Sequence, residues 1–334
     1  IRDPEMSRGL GDVYKRQLAQ YLDTWFAEFI EPTQKPYTVT TYRGVIKNHL
    51  KPNLGAVRLC DLTTEQVQKM VRKLVKAKLA PKTIKNIMTV LNSALEQAVK
   101  AQTLQRNPAK YAKIPAVRVK EIHTFTIQEI ADFVDAAQDS PYYAPLMCCL
   151  FLGLREGEAL GLAWEHVNFE NGKVLICQQL QKEKSKGGKF YIQEGTKNGQ
   201  NRALDVPDFL LEILKDEKQH QLLAHLSAGP AWQNVWGLCF TDALGQCINP
   251  HTLWVNFKRI AASIGLPDAR VHDLRHTNAT LALVNGDDLK TVQANLGHAT
   301  AAFTLQRYVH ASEAMKRASA NRMQQFFDDN VKKA

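Results

Sequence analysis

From Leu18 onward the apolar residues follow a helical rhythm. Leu18, Tyr21, Leu22, Trp25, Phe26 and Phe29 recur at i, i+3 and i+4 spacing, and Pro32 and Pro36 predict the end of that helix. A second helix is predicted over 38–49, stopped by Pro52 and Gly55. Thr63-x-x-Gln66 is a capping-box pattern and opens a third helix to about residue 79. Pro81 suits the first turn of a fourth, reaching about residue 101, with Ile84, Ile87, Met88, Leu91, Leu95 and Val99 turned inward. These four helices predict a helical domain over residues 18–105. Residues 1–17 carry no periodicity and read as a leader not native to the fold. Residues 106–124 read as a linker, with Asn107-Pro108, Pro115 and scattered basic side chains.

A different rhythm fills residues 125–334. A second capping box, Thr126-x-x-Glu129, opens a helix to about residue 138, and an apolar helix follows to about residue 151. Residues 173–177, 189–193 and 202–206 read as strands, and Asn198-Gly199 predicts a hairpin turn between the last two. The KEKSKGGK stretch at 182–189 reads as an exposed loop. An amphipathic helix is predicted over 207–226, and Asn249-Pro250 caps another that carries Leu253, Trp254, Phe257 and Ile260. Near the end, Ala314, Met315, Ala318, Met323, Phe326 and Phe327 form an apolar stripe that suits a tail helix. The expected fold is mainly α in two domains: a four-helix N-terminal domain, then an α+β domain with a small antiparallel sheet.

Charge separates the two halves. Residues 18–117 hold sixteen Lys and Arg against six Asp and Glu, which equals the whole chain's excess of +10. A basic domain beside a near-neutral one fits a polyanion grip on the first, or a solvated basic face. Lys69, Arg72, Lys73, Lys76, Lys82 and Lys85 gather at the third and fourth helices. The longest apolar run, 144–154, is far shorter than a membrane span. The six Cys form no CxxC pair and read as buried, reduced thiols of a cytoplasmic protein, with no metal site.

The candidate chemistry lies at 272–308. His272-Asp273-Leu274-Arg275 puts an imidazole and a guanidinium on one helix face. Leu296-Gly297-His298 follows, and then Tyr308, the sole Tyr after residue 193. Arg can clamp a phosphate with a planar fork, His can donate or carry a proton, and a phenol can be a nucleophile.

This set resembles the tyrosine recombinases, whose signature runs Arg, Lys, His-x-x-Arg, His, Tyr. The resemblance implies that Arg155 in Gly153-Leu154-Arg155-Glu156-Gly157-Glu158 is the first Arg, with Glu158 as its supporting acid. Lys197 on the Asn-Gly turn would be the Lys, although 182, 184, 186, 189 and 202 are also basic. It further implies that residues 18–105 are a core-DNA-binding domain whose basic side chains contact phosphates. Residues 125–334 would be catalytic. Arg155, Arg275 and His298 would meet charge on the phosphate, His272 would accept the Tyr308 proton, and Lys197 would protonate the leaving 5′-oxygen.

The implied product is a 3′-phosphotyrosyl link, made without metal, ATP or other cofactor. The implied partners are duplex DNA bearing recombination sites, three further copies in a tetramer, and accessory DNA-bending or directionality proteins at the nucleoid. Integration or excision of a phage or transposon is the expected outcome. An Xer-type resolvase, a type IB topoisomerase and a DNA-binding protein without catalysis remain open. So does the tail helix, which packs on its own domain or on a neighbour.

Overall fold

The computed structural model describes residues 16–117, 123–183, 188–195 and 201–297, plus single positions between 320 and 328. Lys197, His298 and Tyr308 lie outside the described residues, as do Ala314, Met315, Ala318, Phe326 and Phe327; Met323 is exposed. The chain divides into two compact units, Ile1–Lys120 and Glu121–Ala334.

The first unit is helical. Helix α1 (Leu18–Trp25) runs into a π-turn, Phe26–Ile30. Helix α2 (Pro36–Val45) continues through a second π-turn, Ile46–Leu50, into α3 (Lys51–Leu54). The expected break at Pro52 is therefore absent, and Pro36 starts this helix where the sequence suggested an end. The π-turn explains the tolerance. Lys51 N–H bonds five residues back to Ile46, and the Asn53 side chain takes up the His49 carbonyl at 2.8 Å, so a residue without N–H fits here. Helix α4 (Thr64–Lys76) has the expected reciprocal capping box between Thr63 and Gln66, and α5 (Pro81–Lys100) starts at Pro81. Leu22, Leu50, Val67, Ile84, Leu91 and Leu95 meet in one core.

Arg16 and Gln17 join this unit through a bridge to Arg58 and a bond from Leu59 N–H to the Arg16 carbonyl. The first residues of the stretch read as linker also pack on it. Ala109 is buried, Thr64 Oγ1 donates to the Pro108 carbonyl at 2.9 Å, and the Gln68 side chain holds both backbone groups of Lys113.

In the second unit, α6 (Ile127–Ala137) carries the Thr126–Glu129 capping box, and α7 (Tyr143–Phe151) is buried from Ala144 to Leu150. A helix apolar on all sides belongs in the middle of a domain, and α7 forms the core's axis with α8 (Glu156–Leu160) at its end. Among the described residues five short strands follow: β1 (Val167–Asn168), β2 (Lys173–Ile176), β3 (Gln178–Lys182), β4 (Phe190–Glu194) and β5 (Arg202–Asp205). They form two antiparallel sheets, β1-β2-β5 and β3-β4. The expected hairpin between the last two strands is not formed. Instead β4 pairs with β3, in a stretch whose end at Lys182 the sequence assigned to a loop, while β5 returns to β2.

Among the described residues four α-helices follow: α9 (Asp208–Ala228), α10 (Pro250–Ser263), α11 (Val271–Val284) and α12 (Leu289–Leu296). Only the first half of α9 is amphipathic in practice. Leu210, Leu211 and Leu214 are buried, whereas Leu222, Leu223 and Leu226 are exposed. Among the described residues no helix is long and apolar enough to cross a membrane.

Candidate active site

The site begins where α7 must stop and turn. Gly153 adopts a left-handed φ of 61°, and a Cβ there would lie 2.7 Å from both Asn278 Oδ1 and Leu296 Cδ2. Glycine alone meets both demands. The turn delivers Arg155 to the N-cap of α8. Its backbone N–H donates to Glu158 Oε2 at 3.0 Å, and its Nη1 donates to Oε1 at 2.5 Å.

Glu158 is the hub. Its side chain is fully buried and faces three guanidinium groups from three elements. Arg202, at the start of β5, donates from Nη2 to Oε2 at 2.7 Å and from Nη1 to Oε1 at 3.3 Å. Arg275, on α11, brings Nη1 to 3.7 Å from Oε2. Burial alone would raise the Glu158 carboxyl; the hydrogen bonds and charge of Arg202, then the charge of Arg155, overcome it and hold the pKa at about 2. Glu158 is thus ionised at any working pH.

Helix α11 carries the next pair. His272 and Arg275 share a face as the spacing predicts, but they sit at different depths: His272 is exposed and Arg275 is 1% exposed. Arg275 donates from Nη1 to the Gly153 carbonyl at 2.5 Å and from Nη2 to the Leu296 carbonyl. The His272 ring meets His276 edge-on at 4.6 Å. Although its surface is open, dense packing beneath it removes hydration, and Arg275 and Arg155 repel a proton. Together they lower its pKa to about 4, against a smaller pull from Asp273. The imidazole is neutral at pH 7 and free to accept a proton. Asp273 itself is buried and held by Arg270 at 2.6 Å. Thr277 ties the helix to Phe125 N–H at 2.9 Å.

The arginines also hold the turn after α12. Arg275 reaches the Leu296 carbonyl, Arg155 Nη2 the Gly297 carbonyl at 3.2 Å, and Arg202 Nε the Asn295 carbonyl at 2.7 Å. Gly297 is left-handed, φ 60°, and closes α12 as a glycine C-cap. The residue after it is His298.

Arg155, Glu158, His272 and Arg275 therefore converge, while Lys197, His298 and Tyr308 fall outside the described residues. Arg202 was legible only as one basic residue among several near Lys197. The available signal was its place in the inward register of 202, 204 and 206, because an Arg facing a core requires a carboxylate. Lys69, Arg72, Lys73 and Lys76 on α4 and Lys82 and Lys85 on α5 are all exposed, and among the described residues none pairs with a carboxylate. A cavity of about 560 Å³ lined by Trp164, Phe169, Lys218, His225 and Trp232 contains none of the site residues.

The sequence pattern of the phage integrase family matches residues 120–315, more than half of the chain. The chain belongs to the phage integrase family. Integrases of this family break and rejoin DNA strands in site-specific recombination. The phage integrase N-terminal SAM-like domain matches residues 17–75. A tyrosine recombinase XerC-like protein of Caldanaerobacter subterraneus subsp. tengcongensis is 30% identical over 326 residues, spanning 93% of this integrase and 83% of that protein. The integrase of Mycobacterium phage L5 is 24% identical, spanning 92% of this chain and 78% of its own. The fold is shared with the Tn1549 transposon integrase in complex with a circular intermediate DNA: TM-score 0.78, 18% identity, 92% of this chain and 99% of that one. It is shared also with a lambda integrase dimer bound to a core site: TM-score 0.66, 18% identity, 92% and 81%.

Proposed function

We propose that this integrase moves a phage or transposon into and out of DNA by way of a phosphotyrosyl intermediate on Tyr308. The supporting observation is the convergence of Arg155 and Arg275 on buried Glu158, beneath a neutral His272 and against the turn that leads into His298.

In the step proposed, the Tyr308 oxygen attacks phosphorus and its proton passes to His272. The new P–O bond replaces the bond to the 5′-oxygen, which takes a proton from Lys197 and leaves as a hydroxyl. One ester replaces another, so the bond energy is kept for rejoining and no ATP is consumed. Charge on the non-bridging oxygens is met by Arg155, Arg275 and His298; each preorganised donor of this kind is worth roughly 10²–10³ in rate. Glu158 orients the arginines. Lys69, Arg72, Lys73, Lys76, Lys82 and Lys85 grip duplex phosphates. The working form is a homotetramer holding two duplexes at the nucleoid.

The test is a nicked cognate site. An SDS-resistant protein–DNA adduct is expected from the native protein, and Tyr308→Phe should abolish it while leaving binding intact. No adduct with a verified site overturns the proposal. An Xer-type resolvase is a second reading, favoured by the 30% identity to the XerC-like protein. Recombination between separate DNA molecules supports integration; confinement to direct repeats on one circle supports resolution.

A further inference from the structure

We infer that Arg202 is a positioning residue for strand cleavage: it locks Glu158 and docks the Asn295–Gly297 turn, and through both it sets Arg155. The inference rests on the recombinase reading above. Its grounds are geometric. The Arg202 side chain is 8% exposed. One guanidinium serves two elements at once: Nη1 and Nη2 grip both Glu158 oxygens at 3.3 and 2.7 Å, and Nε donates to the Asn295 carbonyl at 2.7 Å. Gly297 is fitted to it, because a Cβ there would lie 3.2 Å from Arg202 Nη1. A Lys keeps the charge but lacks the fork that reaches both partners.

Arg202 also opens β5, five residues after Lys197 in the sequence. The alternation of β5 puts Arg202, Leu204 and then Val206 inward, so packing of two apolar side chains holds the guanidinium in register.

Glu158 reports on this lock. Around it stand Arg155 and Glu156 from α8, the buried Cys149 thiol of α7, Arg202 of β5 and Arg275 of α11, with His272 one turn before Arg275. Arg202 supplies the largest influence keeping the buried carboxyl ionised. Its removal takes that influence away while the burial remains, so the carboxyl takes up a proton at a higher pH than in the native protein.

The experiment uses full-length protein with Arg202→Met, Arg202→Lys and the double variant Arg202→Met/Glu158→Gln. Adduct formation on a nicked site is measured from pH 5 to 9, site binding by gel shift, and amide exchange across 289–297 by mass spectrometry. Arg202→Met should slow adduct formation tenfold or more at pH 7 with binding within twofold. Its deficit should deepen toward pH 5 and ease toward pH 9. Arg202→Lys should recover a flatter profile, and the double variant, having no carboxyl to titrate, should lose the acid limb. Exchange across 289–297 should rise in Arg202→Met.

A deficit of one size at every pH, no deficit, or unchanged exchange overturns the inference. If native protein forms no adduct, the recombinase reading fails instead. The exchange data and an NMR titration of the Glu158 carboxyl then decide Arg202 separately.

Discussion

Replacing Glu158 by Gln would leave Arg155, Arg202 and Arg275 crowded in a buried space with no anion between them. Breaking a buried ion network from one side costs about 3–5 kcal/mol, so a large fall in melting temperature is expected. The pH dependence has a definite sign. The folded-state pKa near 2 lies below the ordinary value of 4.5, so the stability from Glu158 is present above about pH 4.5 and is lost as pH falls toward 2. Denaturation midpoints against pH should show that acid limb in the native protein and a flatter one in Glu158→Gln. His272 offers a second check, by NMR. Its imidazole should titrate near pH 4 in the free protein and higher once duplex DNA is bound, because a phosphate offsets the arginines that repel its proton. At this scale the sequence was partly legible. His272 and Arg275 are visible because three-residue spacing on a helix fixes a shared face. Arg202 is not, because its meaning depends on a carboxylate 44 positions away.

Between residues and whole stand the elements, and here local signals worked where the deciding force was local. Both capping boxes formed, since each needs only a Thr and an acid or amide three residues on. Thr126→Ala should therefore cost about 1 kcal/mol, read from chemical denaturation. Long-range pairing was less legible. The Asn-Gly signal at 198–199 suggested a hairpin, but β5 is drawn to β2 by register and to Glu158 by its first residue. Strand β3 (QQLQK) has one clear apolar residue, so alternation could not reveal it; a sheet partner did. Pro52 was read as a stop because a π-turn leaves no mark in periodicity. Gly153 shows how much one turn between elements controls. Alanine there would meet strain from φ 61° and two contacts at 2.7 Å, one to α11 and one to α12. Strain alone is on the order of 1–3 kcal/mol. Gly153→Ala should destabilise the protein by at least that much and, by shifting Arg155, slow adduct formation even at temperatures where it remains folded.

For the molecule as a whole the informative quantity is where charge sits. The excess of +10 resides in residues 18–117, whereas the residues proposed for the recombination chemistry lie between 155 and 308. Affinity and cleavage should then be separable. Each phosphate contact made by a Lys or Arg contributes about 0.9 to the slope of log affinity against log salt on duplex DNA. Substituting Gln at Lys69, Arg72, Lys73, Lys76, Lys82 and Lys85 together removes up to six such contacts. All six are exposed, so the fold should tolerate the change. The slope measured on the full chain should drop by as much as about five, and affinity at physiological salt should fall by orders of magnitude for cognate and unrelated sites alike. At saturating protein and low salt, adduct formation on a nicked site should remain close to native, because Arg155, Glu158 and Arg275 are untouched. A cleavage loss that persists at saturation would place these side chains in the chemistry. An unchanged salt slope would remove them from the DNA interface and return the basic face to the role of a solvated surface.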